Sequence, residues 1–122
     1  MLTVPNVGRA ALLKLLTQVG LTLELYTNDV KPGPDDTTAT YHPPVGGGYV
    51  PHKLAPKNWS FKSGQMVGAE QVFTFTAPPK PNLLYGYFVR LGNILMWVEP
   101  FDSPFPVNLK GDTLVVVPTL TL

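Results

Sequence analysis

The segment from Leu83 to Phe101, LLYGYFVRLGNILMWVEPF, constrains the fold more than any other part of the chain. Gly92 and Asn93 separate two apolar, aromatic-rich runs, and both residues tolerate the positive φ that a two-residue hairpin turn requires. The segment therefore predicts a β-hairpin with strands over Leu84–Leu91 and Ile94–Glu99. Because neither run alternates apolar with polar residues, we expect both faces of the hairpin to be covered.

Regular alternation also predicts which side chains of the hairpin share a face. Leu84 should lie on the same face as Gly86 and Phe88. Met96 should lie on the same face as Val98, with the neighbouring odd-numbered residues on the opposite side.

One helix is predicted near the N-terminus. Asn6 is suited to cap a helix over residues 7–19, and Gly20 is suited to end it, so the helix spans about residues 6–19. Four apolar residues recur at the spacing of one helical face, which predicts that this face packs on the core. They are Leu12, Leu15, Leu16 and Val19.

The remaining chain is typical of short strands joined by loops. Alternation predicts a half-buried strand over residues 21–27 and another over 71–76, with Phe73 and Phe75 on one face. Shorter strands are predicted around Trp59 and from Thr113 towards the end of the chain. Residues 43–56 contain four prolines and three consecutive glycines, which favours a loop or an edge. The fold class is therefore all-β, a mainly antiparallel sandwich or small barrel with one N-terminal α-helix, in a single domain spanning residues 1–122.

Composition excludes several classes of function. Charged residues make up only 14% of the 122 residues and the net charge is +1, with no clustered basic patch, so we expect no nucleic-acid partner. The chain has no cysteine, which removes disulfides and thiolate chemistry and fits assembly in a reducing cytoplasm. The apolar segment over residues 10–16 contains Lys14 and is too short to cross a bilayer, so we expect no membrane partner.

Candidate metal and cofactor sites are weak. His42 and His52 are ten residues apart without a third ligand at a recognisable spacing. Asp29, Asp35 and Asp36 lie in one loop but lack the order of a calcium-binding loop. The glycines at 46–48 lack the Gly-Lys-Ser/Thr ending of a phosphate-binding loop. We therefore expect no metal and no cofactor.

Candidate catalytic residues are equally weak. Glu99 and Asp102 resemble the paired carboxylates of glycosidases, but nothing in the sequence places them in a cleft. Ser60, Ser63 and Ser103 lack the context of a nucleophilic serine. We therefore expect no catalytic residues and no enzymatic activity.

Several aromatic residues are candidates for an interaction surface, because Tyr and Trp rings combine apolar area with a polar group. Core packing, a protein interface and a sugar platform are all compatible with their positions. The candidate interface residues are Tyr49, Trp59, Tyr85, Tyr87 and Trp97.

The order of short motifs along the chain resembles a known group of proteins. The motifs are LELYTND at 23–29, GGGY at 46–49, Trp59, VFTFTA at 72–77, LYGYFV at 84–89, LMWVEPF at 95–101 and GDTL at 111–114. In this order they resemble short virion structural proteins of tailed bacteriophages, including phages of cyanobacteria. The resemblance implies a component of the virion, assembled in the host cytoplasm, with no enzymatic residues.

Three functions follow as hypotheses. The first is a capsid decoration or cement protein whose partners are the major capsid protein and copies of itself. Its proline-rich loop at residues 43–56 is expected to reach the neighbouring subunit. The second is a tail- or fibre-associated module that binds a host-surface glycan or protein. The third is a small hydrolase.

Overall fold

The computed structural model describes residues 2–121 and consists of antiparallel β-sheets with a single N-terminal helix. The all-β fold class with one helix is thus confirmed. The elements are α1 (Asn6–Thr17), β1 (Leu21–Tyr26), β2 (His52–Leu54), β3 (Ser60–Lys62), β4 (Gln65–Val67), β5 (Gln71–Thr74), β6 (Leu83–Leu91), β7 (Ile94–Pro106), β8 (Thr113–Val116) and β9 (Thr119–Leu120).

The largest sheet has four strands in the order β2-β1-β6-β7. The predicted hairpin is confirmed: β6 and β7 pair antiparallel around Gly92 and Asn93, and Gly92 has φ 56°. Strand β1 pairs with β6 through Thr22–Arg90 to Tyr26–Gly86. The hairpin and β1 therefore form the centre of the fold.

The predicted faces of the hairpin are wrong at two places, because the β6–β7 register shifts between Leu84 and Gly86 and again between Val89 and Arg90. At the second shift β7 carries one extra residue, and at the first shift five residue steps of β7 face two steps of β6. An odd number of extra residues reverses the alternation of side chains across the irregularity. As a result, Leu84 packs in the same cluster as Tyr87 and Val89 rather than with Phe88. Met96 packs on the large core, whereas Val98 packs with Phe88 on the opposite face.

The large core lies between the four-stranded sheet and the two-stranded sheet β5-β8. Phe73 and Phe75 point into this core together, as their alternation predicted. The β1 strand is not half-buried as expected, because its opposite face is also covered and even Glu24 is only 9% exposed. The core residues are Leu21, Leu23, Leu25, Leu54, Phe73, Phe75, Leu84, Tyr87, Val89, Val107, Leu114 and Val116.

The opposite face of the four-stranded sheet is covered by the loop over residues 27–42. Tyr41 of this loop packs edge to face on Tyr26 with ring centroids 4.8 Å apart, and also contacts Phe88. The loop is fixed to the end of β1, since the backbone N–H and the hydroxyl of Thr27 both donate to the His42 carbonyl. A segment that appears as a polar loop in the sequence therefore closes a second small core.

The helix packs on the third sheet, which has the order β3-β4-β9. It begins at Asn6 after Pro5, without a side-chain cap, and ends at Thr17, two residues earlier than predicted. The predicted core face is correct only at Leu16, which packs on a core cluster. Leu12 and Leu15 are 44% and 66% exposed, and the fully buried positions are Leu13 and Thr17. The helix is rotated so that part of its apolar stripe faces outward.

The segment over residues 43–56 is part of the packed fold rather than a free reaching loop. It supplies edge strand β2, and Leu54 belongs to the large core. The Tyr49 hydroxyl accepts a hydrogen bond from the backbone N–H of Leu25 at 3.0 Å. This gives the N–H a partner at a position of β1 that β2 does not reach. The Gly47 carbonyl accepts from Thr76. The segment therefore cannot be removed without opening the core.

Candidate functional site

An apolar groove runs along α1, between the helix and the β3-β4 hairpin. Its larger part is a cavity of about 660 Å³. The helix lines one side of this cavity with Ala11, Lys14, Leu15 and Gln18, and the opposite side is lined by Trp59, Phe61 and Met66. A second cavity of about 390 Å³ continues towards the start of the helix, lined by Asn6, Val7, Arg9, Ala10, Phe61 and Gly64. Phe61 lines both parts, and we call the two together the helix groove.

The groove exists because of how the helix is rotated. Leu13 is fully buried and Leu16 is half-buried against Met66 and Leu120, which fixes the inward face of α1. Leu15 then points to the groove rather than the core. Phe61 faces it from β3 and is 42% exposed. The groove therefore leaves large apolar side chains in contact with solvent.

The floor of the groove is built from tryptophan. Trp59 lies one residue before β3 and contacts Trp97 of β7 edge to face, with ring centroids 6.2 Å apart. Both rings also pack on the cluster formed by Leu13, Met66 and Leu120. Because Trp97 belongs to the four-stranded sheet, its contact with Trp59 ties this side of the groove to that sheet.

The charges at the groove are basic. Arg9 and Lys14 are among its lining residues, and neither cavity is lined by an acidic side chain. The Lys14 ammonium lies 5.9 Å from the centre of the Phe61 ring, within the range of a cation–π contact. The groove is therefore suited to an apolar segment with acidic flanks.

The structure separates the five candidate interface residues. Trp59 and Trp97 meet at the groove, where Trp97 is half-buried behind Trp59. Tyr49 lies at another edge of the molecule, stacked on Phe73 with centroids 6.0 Å apart. Tyr85 lies on the opposite face of the four-stranded sheet. Tyr87 is only 3% exposed and presents almost no surface.

Tyr87 instead links two sheets from within. Its hydroxyl donates to Glu99 Oε2 at 2.6 Å and accepts the backbone N–H of Thr119 at 3.2 Å. Burial raises the pKa of this hydroxyl well above its usual value, and the hydrogen bond to Glu99 raises it further. Beside it, the Trp97 indole nitrogen is buried and has no hydrogen-bond partner among residues 2–121.

The candidate metal ligands His52 and Asp36 make packing and hydrogen-bond contacts within the fold. His52 stacks on Phe73 with centroids 3.9 Å apart, and its Nδ1 lies 3.0 Å from the Gln71 side-chain oxygen. Asp36 accepts hydrogen bonds from the Gly33 N–H and the Tyr41 hydroxyl. Within the described part of the chain, no three His, Cys, Asp or Glu residues are grouped as metal ligands would be.

Glu99 and Asp102 do not form a carboxylate pair. Glu99 is held by Tyr87, whose ring belongs to the large core. Asp102 lines a different cavity, with Tyr85 on the opposite face of the sheet. The three glycines at 46–48 adopt positive φ and form a turn that packs near Thr76 and Pro79.

Comparison with known proteins does not extend these observations: no family model, curated protein or solved structure matches the chain. Among the described residues, no helix has the length and apolar character needed to cross a membrane.

The sequence contains one indication of the groove, which is the apolar spacing of Leu12 and Leu15 along the helix. Leu12 and Leu15 were expected to pack inward because their spacing fits an apolar helical face. The same apolar stripe also fits a helix that buries one side of it and presents the other to a partner. Phe61 carried no such pattern, since a single aromatic residue in a three-residue strand has no periodicity.

Proposed function

We propose that this chain is a non-enzymatic virion structural protein that decorates a bacteriophage capsid and stabilises the shell. The observation that supports this best is the helix groove, an open apolar surface lined by aromatic side chains. Exposed apolar and aromatic side chains that line a concave surface are typical of binding sites. The motif order described above supplies the context of a tailed-phage particle.

The groove is proposed to bind the major capsid protein. Leu15 and Phe61 form its two walls, with exposed fractions of 66% and 42% that docking would bury. Arg9 and Lys14 at the rim would favour an apolar segment of the shell with neighbouring Asp or Glu residues. Each contact can be weak, because a decorated shell carries many copies that act together.

Two substitutions in the groove test this proposal against a matched control. Phe61→Asp and Leu15→Asp place a charge in the proposed contact. Ile94→Asp is the control, because Ile94 is 63% exposed and lies outside the groove lining. Each full-length variant is incubated with capsids assembled without the protein, and bound copies per particle are counted. Urea denaturation of each variant checks that it is folded.

We expect the two groove variants to bind capsids at least tenfold more weakly, because docking would bury an unpaired carboxylate. The control should bind as the wild type does. Full occupancy by Phe61→Asp would show that the groove is not the docking surface. A wild-type stoichiometry of only a few to tens of copies per virion would place the protein on the tail and contradict a decoration role.

A further inference from the structure

A cavity separate from the helix groove lies on the face of the four-stranded sheet that is opposite the large core. It has a volume of about 270 Å³ and opens to solvent between the loop after β1 and the middle of β7. Its lining combines aromatic rings, prolines and two carboxylates. The lining residues are Tyr26, Asp29, Val30, Tyr85, Pro100, Phe101, Asp102 and Pro104. We call this cavity the acidic cleft.

The floor of the acidic cleft contains a polar group that the fold does not use. Tyr26 is fully buried, and its hydroxyl has no hydrogen-bond partner among the described residues. The end of its ring lies over Gly86, where an added Cβ would be 2.5 Å from the hydroxyl oxygen. Gly86 pairs with Pro100, which lines the cleft. Buried hydroxyls are normally satisfied, so this one is a candidate contact for a ligand.

The two carboxylates of the cleft are also uncommitted. Asp29 and Asp102 are exposed and form neither an ion pair nor a side-chain hydrogen bond within residues 2–121. Burial raises the pKa of the Tyr26 hydroxyl to about 12, and the negative charge of Asp29 contributes to that rise. The Asp29 carboxylate therefore acts on the Tyr26 hydroxyl electrostatically. The cleft is therefore negative at its rim and has an unused oxygen at its base.

An aromatic ring completes the cleft. Tyr85 is half-buried and packs in the same cluster as Tyr26, so it is held by the fold and still borders the opening. Phe101 also lines the cavity, but its side chain packs against the large core. A ring face attracts a cation through its quadrupole, and the attraction is strongest for a cation that is partly desolvated. Carboxylates at the rim and the Tyr85 ring in the wall thus favour a cation in the same place.

We propose that the acidic cleft binds the guanidinium group of an arginine side chain presented by a partner protein. A guanidinium is planar, stacks on aromatic rings and carries five N–H donors. It can stack on Tyr85 and donate to the rim carboxylates, with the Tyr26 oxygen as a further acceptor at the base. A lysine ammonium is instead a compact, strongly hydrated charge that does not stack. This proposal is independent of the helix groove and of a role in the virion.

The proposal is tested on the full chain with small probes followed by NMR. The probe is N-acetyl-arginine N-methylamide, and its neutral control is the citrulline analogue, which has nearly the same shape. The lysine analogue, methyl glucoside and calcium chloride are titrated separately. We expect saturable shifts in the Tyr26 and Tyr85 resonances with the arginine probe. The affinity of the lysine probe should be at least tenfold lower, and the citrulline probe should cause no shift.

Two variants locate the contact. Asp29→Asn combined with Asp102→Asn should lower affinity for the arginine probe at least tenfold, because both changes remove charge from the rim. Tyr26→Phe should lower it several-fold while leaving the urea midpoint no lower than that of the wild type, since the lost hydroxyl has no partner in the fold.

Several outcomes would overturn the proposal. Equal binding of the citrulline probe would mean that charge is not recognised. Saturable binding of methyl glucoside or calcium at these residues, without arginine binding, would assign the cleft to a sugar or a metal ion. Unchanged arginine affinity in the double Asp variant would place the binding elsewhere.

Discussion

Trp59 and Trp97 meet edge to face and join the small sheet beside the helix to the four-stranded sheet. We expect Trp97→Ala to lower the free energy of unfolding by about 3 kcal/mol, because truncating this half-buried ring removes its packing on both neighbouring clusters and leaves a cavity. Trp59→Ala should lower the free energy of unfolding by less than Trp97→Ala does, since Trp59 also borders the open groove. Urea denaturation of the single variants and of the double variant measures the coupling. Strictly additive losses would show that the two rings do not depend on each other.

Glu24 and Arg90 form the one ion pair found within residues 2–121, with Arg90 Nε 2.8 Å from Glu24 Oε2. Their side chains are 11% and 29% exposed. Removing one partner leaves a poorly solvated charge, so Glu24→Ala should destabilise by about 2 kcal/mol. The double variant Glu24→Ala/Arg90→Ala should lose less than the sum of the single losses, as chemical denaturation can show. Additive losses would mean that solvent screens the pair.

Gly86 is required where Tyr26 crosses β6. A Cβ on Gly86 would lie 2.5 Å from the Glu99 carbonyl oxygen and 2.5 Å from the Tyr26 hydroxyl. We expect Gly86→Ala to destabilise by more than about 3 kcal/mol, because backbone must move to make room. Gly20→Ala is the control, since a Cβ there would meet no atom within 4 Å. Similar urea midpoints for the two variants would contradict the close packing at Gly86.

Tyr26 and Tyr41 are adjacent buried tyrosines that differ in hydrogen bonding. The Tyr41 hydroxyl donates to Asp36 at 2.7 Å, whereas that of Tyr26 has no partner in the described chain. Tyr41→Phe should therefore destabilise by about 1–2 kcal/mol, and Tyr26→Phe should be neutral or stabilising. Thermal unfolding of both variants under one buffer condition compares them. The reverse order of stability would mean that Tyr26 makes a hydrogen bond after all.

Alkaline pH should unfold the protein through its buried tyrosines. Burial raises the pKa of Tyr26 to about 12, and the pKa values of Tyr41, Tyr49 and Tyr87 also lie above their usual range. Since the folded-state values exceed the unfolded value of about 10, the native state holds these protons more tightly. The contribution of these tyrosines to stability should therefore be constant below about pH 10 and be lost as pH rises towards about 12 and beyond.

Urea denaturation across this pH range, with tyrosinate absorbance recorded in parallel, checks the expectation. The absorbance of these four tyrosines should appear together with unfolding. Ionisation of all four in a chain that is still folded would contradict their burial.

The sequence by itself determined the elements whose cause is local. The Gly92-Asn93 pair and its β-rich flanks predicted the hairpin, because turn geometry depends on two residues. Periodicity predicted the helix and a strand over residues 71–76, of which the structure forms Gln71–Thr74. The inward direction of Phe73 was correct. These features need no knowledge of what lies across the fold.

Only the tertiary structure decided which faces are buried and which residues meet. Two bulges reversed the side chains of Leu84 and Met96, and packing against β4 rotated the helix so that Leu15 faces outward. The acidic cleft joins Tyr26 of β1 to Asp102 of β7 across Gly86. Residues so distant in sequence are brought together by sheet register and close packing, whose free energy depends on the whole fold rather than on any local pattern.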